Sequence, residues 1–80
     1  MRVNKTTMLF EDISPEERLE LTILCKRIVF EGHMPYPFPG YMAEWMKLSG
    51  HASHYNPLMV GTAFVTRALL SLVLEQPVNG

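Results

Sequence analysis

Cysteine is nearly missing from this chain. Cys25 is the only one in 80 residues, so no disulfide can staple the fold internally. Charge of either sign is scarce and balanced, with seven Lys+Arg against eight Asp+Glu and a net charge of −1. That balance lacks the basic footprint of a protein that grips phosphate backbones. Charged residues make up 19% against 48% hydrophobic residues, which excludes a disordered charged tail. A long apolar run is absent too. Leu58–Leu74 is the greasiest stretch, but Thr62, Thr66, Arg67 and Ser71 interrupt it, and it falls short of the roughly 20 residues that span hydrocarbon. Met1–Lys5 lead into threonines rather than an apolar segment, so no signal peptide is expected. Together with the free thiol, this predicts a cytoplasmic location. No glycine-rich phosphate loop, HExxH or Ser-His-Asp order occurs, and the sequence predicts neither enzymatic activity nor a cofactor.

Length limits the chain to one domain, residues 1–80, with 1–12 as an N-terminal arm. A domain this short buries only roughly 60% of its unfolded surface. Small scaffolds without disulfides or metals gain stability by oligomerising. The charges are unevenly spread: from Leu48 onward only Arg67 and Glu75 carry any. That third of the chain needs covering, by the rest of the chain or by another molecule.

The pattern predicts three helices. Ser14, Pro15 and Glu17 read as a capping box with Pro at the first helical position, opening a helix over about 15–31 that Gly32 ends. Its wheel carries two apolar stripes, one with Leu21, Leu24, Cys25, Ile28 and Val29, the other with Leu19, Ile23 and Phe30. Two stripes call for two packing neighbours. The prolines at 35, 37 and 39 impose an extended, stiff joint. A short helix over about 41–49 follows, ended by Gly50. Asn56-Pro57 then opens a helix over about 57–76, which Pro77 stops. On that last helix Arg67, Ser71 and Glu75 form one narrow polar strip in an otherwise apolar circumference. Gly61 and Ala68 would let another helix approach closely. The expected architecture is all-α, a helical homodimer built on Leu58, Gly61, Val65, Ala68, Leu69 and Leu72.

Several motifs admit two readings. His51-x-x-His54 with His33 suggests metal, but a closed four-ligand set is lacking, and no metal is expected. Cys25 sits in an apolar stripe, where thiols pack rather than react. Pro35–Pro39 is either a groove ligand or a rigid linker whose Tyr36 and Phe38 pack on the core. Trp45 with Met42 and Met46 forms a soft apolar patch suited to core or to partner contact. The arm, with Arg2 and Lys5 ahead of a capped helix, resembles the opening of ribbon-helix-helix repressors, whose paired strands enter a DNA groove. The proline-rich joint departs from that pattern.

A wider resemblance rests on Pro37-Phe38-Pro39-Gly40-Tyr41-Met42-Ala43-Glu44-Trp45 with Leu58–Leu74 behind it. This layout is similar to the small helical antiactivators of LuxR-type quorum-sensing regulators. The likeness is one of plan and covers about two thirds of the chain. It implies a non-enzymatic dimer that binds a transcriptional activator and blocks its dimerisation or DNA contact. The expected partner-binding residues are Phe38, Tyr41, Met42, Trp45 and Met46. The alternatives are a DNA-binding repressor using the arm, and an inhibitor, encoded by a phage or plasmid, of another host protein.

Overall fold

Helix starts and stops follow the local chemistry of the sequence. A computed structural model describes residues 1–32, 37–50 and 57–75. In chain order these form β1 (Arg2–Val3), β2 (Phe10–Glu11), α1 (Pro15–Glu31), α2 (Gly40–Ser49) and α3 (Pro57–Leu74). At the start of α1 the Ser14 hydroxyl accepts from the Glu17 N–H at 3.1 Å, and the Glu17 carboxylate accepts from the Ser14 N–H at 3.0 Å. The helix closes on Gly32, whose φ of 74° is left-handed and whose N–H returns to the Ile28 carbonyl. Glycine takes that conformation without the Cβ penalty. Pro39, with φ −58° and ψ 150°, is polyproline-like and leads into α2. The expected joint at residues 33–36, the His51 and His54 pair, Asn56 and Gln76 lie outside the described residues.

The fold is mostly helical but not all-α, because the arm is a hairpin. β1 and β2 pair antiparallel, Arg2 opposite Glu11 and Val3 opposite Phe10. Asn4 closes the reversal: its side-chain oxygen accepts from the Thr6 and Thr7 N–H groups at 2.8 and 3.0 Å. Such Asx turns compete locally with helix and favour a chain reversal. The paired stretches are two residues each, too short for alternation to reveal them in the sequence. What anchors them is burial, since Phe10 is 1% exposed and Val3 is buried too.

The core lies where the hairpin, α1, α2 and α3 converge. Leu21, Leu24, Cys25 and Ile28 supply it from α1, and Met42, Trp45 and Met46 from α2. Phe10 and Phe64 meet at 5.7 Å, Phe64 and Trp45 at 5.5 Å, and Phe10 and Tyr41 at 6.0 Å, all edge-to-face. Each such pair contributes about 0.5–1.5 kcal/mol beyond its area burial. The chain of rings ties the hairpin to both α2 and α3. Among the described residues no helix is long and apolar enough to cross a membrane.

Candidate functional site

The polar strip of α3 has a structural use. With Val3 opposite Phe10, the N–H groups of Phe10 and Asp12 point away from β1, out of the open edge of the hairpin. Ser71 Oγ accepts from the Phe10 N–H at 2.8 Å and donates to the Arg67 carbonyl at 2.6 Å. Glu75 Oε1 accepts from the Asp12 N–H at 3.2 Å. Two acceptors four residues apart, Ser71 on α3 and Glu75 just past its end, therefore meet alternate donors along the hairpin edge. An open edge is otherwise a template for foreign strands. Among the described residues every buried side-chain nitrogen and oxygen has a partner.

This arrangement decides which face of α3 is left outside. Val60, Gly61, Phe64, Val65, Ala68 and Ser71 turn inward and are buried. Met59, Leu69, Leu70, Val73 and Leu74 are exposed, Val73 by 66%. Of the residues expected at a helical dimer seam, Gly61, Val65 and Ala68 are thus covered by the chain's own elements. Leu69 is exposed, Leu72 is half-buried, and the side chain of Leu58 is outside the described residues.

The residues expected to bind a partner separate in the same way. Met42, Trp45 and Met46 are buried, and the indole N–H of Trp45 donates to the Met8 carbonyl at 2.9 Å. Phe38 and Tyr41 are half-buried at the edge of the core. Burial, and secondarily the nearby Glu20 carboxylate, raises the Tyr41 hydroxyl above its ordinary pKa. As folded, the Trp45 cluster holds α2 in place and offers no surface anchor.

Two apolar surfaces remain. One runs along α1, where Leu19, Ile23 and Phe30 point away from the core and Phe30 is 83% exposed. The second is the outward face of α3 with the groove beside it. That groove, of about 510 Å³, is lined by Arg18 and Thr22 of α1 and by Leu69, Leu72 and Val73 of α3. The Arg18 guanidinium donates to the Leu72 carbonyl through both terminal nitrogens, one at 2.9 Å. The cation is thereby held against the groove wall at the end of α3, where helix carbonyls lack intrahelical partners. Sequence reasoning noted the second α1 stripe without finding its neighbour. It missed the Arg18 contact, for which the sequence carries no signal.

The chemistry-bearing groups are spread apart. Cys25 is buried in the core, and burial pushes its thiol up to about 11. Among the described residues no three His, Cys, Asp or Glu side chains come together as a metal set. Arg2 of the hairpin is held by Glu11 at 3.2 Å and Asp12 at 2.8 Å, which raises its pKa and offsets its charge locally. No protein-family model, curated protein or solved structure matches the chain.

Proposed function

We propose that this protein is a non-enzymatic regulator that inhibits a larger protein by occupying a surface its normal partner needs. The target class suggested by the layout is a LuxR-type transcriptional activator, which makes the protein an antiactivator. The observation that supports this reading is the outward face of α3. Among the described residues Met59, Leu69, Leu70 and Val73 are exposed, and Leu69 and Val73 line an apolar groove. An amphipathic helix of the target lays its apolar side along such a groove and buries a few large anchors. Apart from Arg18, held on the Leu72 carbonyl, the groove lining is uncharged, which limits the desolvation cost of docking.

The test is capture of a purified LuxR-type activator by the immobilised full-length protein, with Val73→Asp and Leu70→Asp as variants. Both positions are exposed, so far-UV circular dichroism and the unfolding midpoint should stay as in the parent. Loss of capture in both variants supports the reading. Capture that survives both substitutions removes the α3 face from the function. Capture of no activator in this class removes the antiactivator assignment.

A further inference from the structure

We infer that the outward stripe of α1 is a self-complementary interface on which a second copy of this chain docks, the two α1 helices running antiparallel. This inference rests on α1 and shares only Thr22 with the α3 groove proposed above.

The stripe has the spacing of a coiled-coil seam. Placing Ile23 at heptad position a puts Glu16 and Phe30 at the neighbouring a positions, and Leu19 and Lys26 at d. All five are exposed. The inner stripe of the same helix is filled by the chain's own core, so the outer one stays available to a separate molecule. A strict seam of this kind stands out from the broad apolar face of a helix packed in a globular domain.

Charge selects the occupant. The flanking e positions are Glu20 and Arg27, both exposed, Arg27 pairing at 3.5 Å with Glu31 of its own helix, and the flanking g positions are Thr22 and Val29. In an antiparallel pair e faces e and g faces g. Glu20 then meets Arg27 of the second copy, and Arg27 meets its Glu20, two opposite-charge contacts from one pair of residues. The g side sets Thr22 against Val29. A parallel pair would place Arg27 opposite Thr22, with no charge to meet. An unrelated partner must bring its own complement, whereas a second copy has it built in. Two-fold self-pairing is also the commonest form of oligomer.

The remaining features agree. Lys26 falls opposite Ile23 of the second copy, where its methylene stem covers the aliphatic side chain and its ammonium reaches water. Polar residues in a seam fix register at a cost in stability, and Lys26 and Glu16 are the two here. Just over two heptads would be too few for a free-standing coiled coil, but α1 is already ordered by its inner face. Docking then loses little conformational freedom. Arg18 and Thr22 place the α3 groove on the g side, and the two-fold leaves the grooves of both copies on the same side of the pair.

Two single variants and their mixture test this, by sedimentation velocity on the full chain at about 100 µM, where a micromolar dissociation constant reads as dimer. The parent sediments as a dimer. Glu20→Arg alone and Arg27→Glu alone each face like charges twice and weaken association by about tenfold or more. An equimolar mixture of the two restores the dimer, because each interface position then meets its opposite. Circular dichroism confirms that both exposed variants stay folded. A monomeric parent overturns the proposal. So does a dimer indifferent to both substitutions, a mixture that stays monomeric, or a dimer lost on Val73→Asp instead.

Discussion

Ile23 and Leu24 are neighbours in the sequence, nearly equal in size and hydrophobicity, and they meet opposite fates. Leu24 is 6% exposed and Ile23 is 50% exposed. The same contrast divides α3 more sharply. Ser71, a hydroxyl, is 1% exposed, while Val73, two residues on, stands in solvent. Apolar character alone therefore does not decide which side of these helices faces in. On α3 the hairpin contributes as well. Its open edge presents the Phe10 and Asp12 N–H groups, and α3 has to turn the side bearing Ser71 and Glu75 towards them. With that side fixed, Leu69, Leu70 and Val73 are left outside. The core face of this protein is thus the side that satisfies hydrogen bonds as well as the side that buries carbon.

The largest effects should come from the inner face. Trp45→Ala removes a fully packed ring, its edge-to-face contact with Phe64 and its bond to the Met8 carbonyl. The expected loss is about 3–5 kcal/mol, a large part of the about 5–15 kcal/mol that holds a domain together. Chemical denaturation should find the variant largely unfolded, and Trp45→Phe should recover part of the loss. A Trp45→Ala variant with the parent's unfolding midpoint would show that the ring is not core. Smaller is Ser71→Ala. It is a small change on paper, but it strands the Phe10 N–H inside the molecule. An unmet buried donor costs about 1–3 kcal/mol. Amide exchange at Phe10 should accelerate along with the drop in midpoint. If hydrogen bonding, and not carbon burial, sets the orientation of α3, this substitution costs more than its lost volume predicts.

Much of the helical frame can be read from residues that act locally. Ser14, Pro15 and Glu17 mark the start of α1, Gly32 its end, Gly50 the end of α2 and Pro57 the start of α3, because caps and prolines act on their own turn. The hairpin was hidden because its strands are two residues long, and its stability comes from Phe10 packing on Phe64 across the chain. The orientation of α3 was hidden for the same reason. A helical wheel shows that Arg67, Ser71 and Glu75 share a side, but a polar strip ordinarily faces water, and here Ser71 alone of the three is buried, against the strand edge. Trp45, read as either core or partner contact, and Val65 and Ala68 of the expected seam are buried in the single chain.

Smaller effects probe the frame itself. Ser14→Ala leaves the Glu17 N–H uncapped and should cost about 1 kcal/mol. The Glu17 carboxylate is held below its ordinary pKa, first by the Ser14 N–H and then by the N-terminal amine. Its contribution is present above the unfolded-state pKa and is lost as pH falls through the lower folded value. Cys25 works at the other end of the scale. Burial raises its pKa from 9.0 to about 11, so between those values the unfolded chain has released a proton that the folded chain retains. Stability should fall as pH rises through that window. The Tyr41 hydroxyl is shifted in the same direction. Cys25→Ala should therefore flatten the alkaline fall in the unfolding midpoint without abolishing it. An identical slope in the variant would mean that the thiol is not desolvated.

The smallest expected change in stability sharpens the comparison most. Leu24→Ala and Ile23→Ala delete similar volumes from adjacent positions of one helix, the β-branched Ile gaining slightly more helix propensity on becoming Ala. Leu24→Ala opens a cavity among Leu21, Ile28 and the rings behind them and should cost about 2–5 kcal/mol. Ile23→Ala removes a side chain that touches mainly water and should lie within about 0.5 kcal/mol of the parent, measured in dilute solution where the chain is a monomer. At high concentration the two positions should exchange importance. Ile23 then sits in the seam between copies, and its truncation should lower the unfolding midpoint of the concentrated protein towards that of the dilute one, since a dimer gains stability with concentration and a monomer does not. If Ile23→Ala is as costly as Leu24→Ala in dilute solution, the outer stripe is covered within a single chain. If it is neutral at every concentration, nothing docks there.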